Sequence, residues 1–377
     1  MSLEPLAQDH PSSTADPRRD EATAPQWKLI WWRFRRHKMA MAGLIVLIIM
    51  YLTAILAGFV APFAPDSTSS THAYHPPQMV KFSTSDGLYV HPTTGRTDIE
   101  TLERVFDEDT TKTVPLGFFV KGEPYKLLGF IHADVHLFGP KNQGDRFYLL
   151  GADRTGADLY SKIIAGSQIS LSIGLVGVAV SLFLGLLLGG ISGYFGGWVD
   201  NLIQRLIELV MSIPTLPLWL GLAAAIPPNF GIVNTYLMIT VILSLLGWTS
   251  LARVVRGRLL QTRGEDYVLA AKLDGAGPGR IIFKHMLPTF TSHIIATVSL
   301  AIPAMILAET SLSFLGLGMR APAVSWGVLL QDAQNINTIA TAPWLLLPGL
   351  VVVFAVVAFN FVGDGLRDSA DPYGKRA

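Results

Sequence analysis

The sequence predicts an all-α integral membrane protein of six transmembrane helices, with an extramembrane insertion of mixed, partly β structure between the first and second. Three observations carry this. Half of the 377 residues are apolar and only 15% are charged, with a mean hydropathy of +0.41. That is richer in apolar residues and poorer in charge than an ordinary soluble protein. The apolar residues gather in runs of the length that crosses a bilayer, about 20 residues, and the runs do not alternate as barrel strands would. Helices satisfy every amide internally, which hydrocarbon demands. The basic residues cluster at alternate ends of these runs.

Residues 1–26 are rich in Pro, Ser, Asp and Ala, lack apolar periodicity and read as a disordered cytoplasmic tail. A signal peptide is not expected, because the first apolar run starts far from the N-terminus and is long enough to span. Residues 27–61 combine an interfacial segment, WKLIWWRFRRHK, with the first span, Met39 to Ala61. Indole rings at headgroup depth and Arg and Lys on the cytoplasmic side suit that segment. The second span runs from Ile169 to Tyr194. From Leu209 to Ala252 there is no charge, too long for one helix at about 1.5 Å per residue. The break at Pro227-Pro228-Asn229-Phe230-Gly231 divides it into a third span near 202–226 and a fourth near 232–254. Thr289 to Ala308 is the fifth and Pro343 to Gly363 the sixth, so 166–365 forms the membrane core and 366–377 a second tail.

Six spans place both termini on one side. Arg33, Arg35, Arg36 and Lys38 precede the first span. Seven basic residues, from Arg253 to Lys284, separate the fourth and fifth, and Arg367, Lys375 and Arg376 follow the sixth. The opposite short loops hold almost none, Arg320 excepted, so the basic side is expected to be cytoplasmic. The insertion, 62–165, then falls outside. Val80–Phe82 and Leu88–Val90 around Ser85-Asp86-Gly87 read as a hairpin. Gly117–Val120, a turn at Lys121-Gly122-Glu123-Pro124, and Tyr125–Phe130 read as a second. Thr97 to Phe106 reads as a short helix.

The loop 255–288 is cytoplasmic on this reading and has internal design. Glu265 and Asp266 stand where acids favour a helix N-terminus. Tyr267 to Leu273 holds helix formers with small residues at Ala270 and Ala271. Asp274-Gly275 stops the helix, and Gly277-Pro278-Gly279 forbids immediate resumption. Arg280 to Leu287 is a second short helical piece, and Pro288 opens the fifth span. Such a loop reads either as a simple connection or as a short helix whose small face enters a groove on a partner.

Leu269-Ala270-Ala271, then Gly275, then Leu287-Pro288 resemble the EAA motif of ABC-importer permeases, with the family's spacing along its length. Leu269 stands where the family has Glu and His285 where it has Ile. Three further stretches resemble the oligopeptide/dipeptide branch. They are Leu150–Asp158 with Ser170-Leu171, Gly193–Asp200 with Ser212-Ile213-Pro214, and Ser311–Gly318 with the Asp364–Asp368 and Asp371-Pro372 ending. The resemblance covers about 30–50 and 150–377. It implies the type I importer fold and a permease subunit importing peptides or a related small solute. Its implied partners are a second, homologous permease, two ABC ATPases and a periplasmic solute-binding protein, in a bacterial inner membrane. Glu265, Asp266, Tyr267, Leu269, Ala270, Ala271, Asp274, Gly275 and Pro288 would couple the chain to an ATPase. The 62–165 insertion would lie where the solute-binding protein docks.

The chain has no G-x-x-x-x-G-K-[ST] run, so ATP and Mg are expected on the partner subunits and this chain is expected to be non-catalytic. It has no cysteine, which excludes disulfides, cysteine nucleophiles and cysteine-ligated metal. No resident cofactor, metal or nucleic-acid partner is expected. His132 and His136 have metal-ligand spacing only if helical, and Gly275–Gly279 follows no strand, as a dinucleotide fingerprint would require. Ionisable residues within spans are functional suspects. Glu208 with Arg205, and Asp364 with Arg367, read as i, i+3 pairs. Glu309 reads either as paired or as lining the pathway or an outer gate. Pro214, Pro217 and Pro303 would kink their helices, as hinges or as packing features. Two rivals remain: a stand-alone secondary transporter, for which no clear inverted repeat is found, and a membrane-embedded hydrolase, which needs a nucleophile with a His or second Asp at membrane depth.

Overall fold

The interfacial segment folds as helix α1 (Gln26–Arg36), with Arg33, Arg35 and Arg36 in its last turn, where positive charge suits the helix dipole. His37 then caps α2 (Lys38–Ile55), its Nδ1 accepting from the Ala40 amide at 3.1 Å. A single turn, α3 (Ala57–Val60), completes the first crossing. This computed structural model describes residues 26–84, 87–97, 104–127, 129–227 and 229–370. Most of the expected N-terminal tail, residues 371–377, the Ser85-Asp86 turn and Pro228 lie outside the described residues.

The remaining crossings are α4 (Leu159–Phe195), α7 (Ile232–Thr262), a helical run from Pro278 to Phe314 that ends in α9 (Thr291–Phe314), and α12 (Leu347–Ala370). Short helices α10 (Trp326–Gln331) and α11 (Ile336–Thr341) lie between α9 and α12. Among the described residues five helices are long and apolar enough to cross a membrane, or six if one bent pair is a single span. The helical membrane fold expected from the sequence is therefore borne out. Several bounds are not. α4 starts ten residues before Ile169 and has 37 residues, about 55 Å at ~1.5 Å per residue, so it projects beyond the bilayer. The last helix runs on to Ala370, through the start of the expected tail.

The third span differs most. Instead of one straight helix, α5 (Gly197–Ser212) and α6 (Thr215–Ala224) meet at 85°. Proline at 214 forces the preceding residue out of the helical region, and Ile213 is extended at φ −90°, ψ 129°. Pro288 does not open a new helix. The chain passes from Pro278–Arg280 through a π-helical turn (Ile281–Met286) and a 3-10 turn (Leu287–Phe290) into α9 without a break. The Leu287 amide reaches back five residues to the Ile282 carbonyl, so the wider turn absorbs the proline.

Within the membrane region α4 packs along α7, and α12 lies between α2 and α9. Gly185, Gly189 and Gly193 form a stripe on α4 that lets the α7 backbone approach. A Cβ on Gly189 would lie 2.6 Å from the Ala252 carbonyl oxygen. Small residues at every fourth position serve this close approach in membranes.

The insertion is two antiparallel sheets, ordered β1-β2-β5-β6 and β3-β4. β1 (Lys81–Ser83) and β2 (Gly87–Val90) pair as the sequence expects. The second expected hairpin is misplaced. Lys121-Gly122-Glu123-Pro124 is not a turn but a register shift inside β5 (Val114–Leu127), which pairs with β6 (Ile131–Pro140). Pro124 sits at the irregularity, where a missing donor is tolerated. The short helix expected over Thr97–Phe106 is also corrected. Its ends belong to strands β3 (Thr93–Thr97) and β4 (Arg104–Glu108), which pair with each other, and residues 98–103 lie outside the described residues. Phe63, Val90, Val114, Leu116 and Phe147 form the core of the insertion.

Candidate functional site

The loop between the fourth and fifth expected spans folds into a helix held on one side only. α8 (Asp266–Leu273) starts at Glu265, whose backbone is extended and whose side chain makes no capping bond. Val268 and Ala271, three apart, are buried against Val255 and Leu259 of α7 and Ile281 and Ile282 of the π turn. The Lys272 ammonium lies 5.4 Å from the centre of the Tyr194 ring at the end of α4. The helix thus rests on three neighbouring elements.

Its end is a Schellman stop. The Ala276 amide donates to Ala271 O and the Gly275 amide to Lys272 O, each at 3.0 Å, with Gly275 at φ +76°. A side chain there would meet open space, so only the backbone conformation favours glycine. The opposite face of α8 is bare. Tyr267, Leu269 and Ala270 are exposed, and Leu273 is 89% exposed. Exposed Asp266 and Asp274 bracket this face, and Pro288 is exposed on the following segment. Leu269 and Leu273 are one turn apart, so they form one ridge. This ridge leaves apolar side chains open to solvent in a loop rich in basic residues. Of the nine residues singled out for coupling, eight lie on or at the ends of α8. Ala271 faces inward, and Pro288 belongs to the helical run beyond.

Three polar centres stand at the crossings. Glu309 on α9 is fully buried. Its Oε2 accepts from Ser170 Oγ of α4 at 3.1 Å and its Oε1 from Ser313 Oγ at 2.8 Å. Those hydroxyls in turn accept the amides of Trp326 and Met319. Glu309 therefore joins α4, α9 and the segment leading to α10, with no face to water in this conformation. Pro303 is buried inside α9, and Pro214 is exposed at the α5–α6 bend. A cavity of about 350 Å³ between α2, α4 and α12 is apolar and includes none of the three.

Sequence reasoning missed the second centre. Asp200 of α5 takes two bonds from the Arg256 guanidinium of α7 and one from Ser192 Oγ of α4, all at 2.5 Å. A bidentate Arg–carboxylate pair fixes both partners' planes. The local signal was an acid at the start of a largely apolar helix, and the partner is 56 residues away. The third centre is the Leu150–Asp158 stretch. Asp153 accepts from Thr155 and Ala157 amides and pairs with Lys162. Asp158 caps α4 by accepting from the Ser161 amide at 2.8 Å, and burial pushes its carboxyl up to about 6. Arg205 and Glu208 pair as expected, at 2.8 Å and exposed. Asp364 and Arg367 do not pair; Asp368 instead approaches His37 at 3.9 Å. His132 and His136 lie on strand β6, not on a helix, which puts them about 13 Å apart along it at ~3.3 Å per residue. His136 is buried against the carbonyls of Ala61 and Glu123.

Residues 185–373 match the family described as "Binding-protein-dependent transport system inner membrane component". Residues 25–77 match "N-terminal TM domain of oligopeptide transport permease C". The dipeptide transport system permease protein DppC of Bacillus subtilis is 31% identical over 348 residues, 92% of this chain and 85% of that protein. The oligopeptide transport system permease protein OppC of the same organism is 28% identical over 92% of this chain and 89% of its own length. Its Escherichia coli namesake is 37% identical over 60% of this chain and 72% of its own length. An inward-facing structure of the MetNI methionine ABC transporter aligns over 56% of this chain and 98% of that one, with a TM-score of 0.45 and 17% identity. The resemblance read from the EAA-like loop and its companion stretches is borne out by these family matches.

Proposed function

The chain belongs to the binding-protein-dependent transport inner-membrane component family, and from that membership we propose that it is the permease of an ATP-driven importer of peptides or related small solutes. Its relatives named as dipeptide and oligopeptide permeases support that solute class. The observation that carries the mechanism is the divided surface of α8. Val268 and Ala271 are held by α7 and the π turn, while Leu269 and Leu273 face out.

In this reading two partner ATPases hold ATP and Mg and do the chemistry, and the chain itself is non-catalytic. One ATPase receives the outward face of α8 in a cleft. Its closure pushes α8, and α7 and the π turn carry the push into the spans. The Arg256–Asp200–Ser192 centre keeps α4, α5 and α7 moving as one body. Glu309 holds the segment before α10 as a fixed post of the gate, and the Pro214 bend and Pro303 are where the helices flex. A homologous permease completes the pathway, and a periplasmic solute-binding protein delivers cargo to the side carrying 62–165. The protein lies in a bacterial inner membrane with both termini cytoplasmic.

The test is purification of the tagged full chain with its native partners, followed by peptide uptake in vesicles. The reading expects ATPase subunits in the complex and uptake that needs ATP inside and a binding protein outside. A chain that runs alone and accumulates solute on an ion gradient would establish the secondary-transporter alternative instead.

A further inference from the structure

The insertion does not simply stand above the bilayer. Its longest hairpin, β5–β6, runs back down the outer end of the first span. Gly139 lies beside Pro62, the His136 ring hydrogen-bonds the Ala61 carbonyl, and the Tyr125 ring covers Gly58. Each step toward the hairpin tip is thus a step toward the membrane. Gly58 is required at this contact, since a Cβ there would lie 2.3 Å from the Tyr125 ring.

Depth follows from the helix. About 20 residues counted from Lys38 place the outer edge of the hydrocarbon near Gly58. Tyr125 pairs with Ala133 at that level, and Leu127 with Ile131 lies two residues beyond, about 7 Å further at ~3.3 Å per residue. At this end Phe130 is 70% exposed and Ile131 45%, with Lys126 and His132 exposed beside them. The first span also carries exposed apolar side chains, and the base of the hairpin touches its outer end. Ile48, Leu52 and Ile55 are exposed along α2; Phe59 follows one turn later, and its ring meets that of exposed Phe119 at 6.2 Å.

We propose that the β5–β6 hairpin is a membrane anchor whose tip, Phe130 and Ile131, sits in the outer headgroup–acyl boundary of the bilayer. Aromatic rings partition to that boundary, and lysine stems reach back from it to the phosphates. The occupant is a lipid surface, and the anchor fixes the rest of the insertion at a set height over the pore. The inference rests on the outward placement of 62–165 proposed above.

The absence of native cysteine makes the test direct. Phe130→Cys and, separately, Phe82→Cys on the far edge strand are introduced into the full chain. Each variant is assembled with partner subunits free of exposed thiols. Phe82→Cys should react with a membrane-impermeant maleimide added outside. A nitrobenzoxadiazole probe on Phe130→Cys, in liposomes, should shift its emission to the blue and lose it to brominated acyl chains. Ile131→Cys repeats the reading if Phe130→Cys fails to assemble. If Phe82→Cys labels from outside but the tip probe is quenched only by aqueous iodide, the anchor is overturned and the orientation stands. A tip probe shielded from both quenchers until the complex is dissociated overturns it in favour of a protein partner. No labelling of Phe82→Cys from outside overturns the orientation, and the anchor with it.

Discussion

Adding one methyl group to α4 should have opposite effects at two glycines a few turns apart. At Gly189 a Cβ would sit 2.6 Å from Ala252 O and 2.9 Å from Ala252 Cα, both backbone atoms that no rotamer change can move aside. Ordinary contact starts near 3.4 Å, so α7 must retreat by about 0.8 Å. Overpacking of this kind costs about 1–3 kcal/mol, and the gain from replacing glycine by alanine in a helix returns about 1 kcal/mol. Gly189→Ala should therefore lose roughly 1–2 kcal/mol, using the upper half of that overpacking range because backbone is struck. At Gly177 the nearest atoms would be Met305 Sδ at 3.5 Å and Ser244 Oγ at 3.6 Å. Only the propensity gain remains there, so Gly177→Ala should be more stable by up to about 1 kcal/mol. Thermal unfolding in detergent, followed by circular dichroism, reads both midpoints. The close α4–α7 crossing is refuted if the two variants shift in the same direction by similar amounts.

Other consequences follow from the polar centres and the loop. Asp200→Ala leaves the half-buried Arg256 charge without its partner, which should cost about 1–3 kcal/mol. The paired Asp200→Leu/Arg256→Met variant should recover much of that in the same melts. Val268→Asp buries an unpaired charge under α8 and should abolish uptake while the spans still assemble, read by uptake alongside recovery of the complex. Acid should act on two buried groups with opposite signs. Burial raises Asp158 to about 6, so its folded form holds a proton the unfolded chain has lost, and its contribution falls as pH rises from about 4 to 6. Burial lowers His75 to about 4, so its contribution is complete above about 6.5 and is lost as pH falls toward 4. Melting curves at pH 4–7 should show Asp158→Asn more acid-sensitive than the parent and His75→Phe less so. Parallel curves for all three would contradict both assignments.

The crossings were legible because a charge-free run of spanning length finds enough apolar surroundings mainly in a bilayer. The loop was legible for a local reason. Gly275 lies four positions after the last buried residue of α8, where a left-handed residue ends a helix, and the structure places it at φ +76°. What stayed hidden depends on contacts distant in sequence. Pro214 announces a break, but nothing local sets the 85° angle between α5 and α6. Glu123-Pro124 looks like turn chemistry, yet Glu123 accepts from Ala64 and Ser67 at the start of the insertion, and β5 continues past it to Leu127. Periodicity treats Ala270 and Ala271 alike; packing sends Ala271 inward and leaves Ala270 facing out. The Asp200–Arg256 pair joins helices that only the fold brings together.

The central claim is that α8 presents one face to an ATPase and the other to its own chain. Single cysteines at Leu273 and at Val268, in the otherwise cysteine-free chain, test it with a short bifunctional thiol reagent and an ATPase carrying cysteines along its cleft. The account predicts a cross-linked permease–ATPase band from Leu273→Cys, changing in yield when ATP is added, and none from Val268→Cys. Equal cross-linking from both positions, or none from Leu273→Cys in an intact complex, would contradict it.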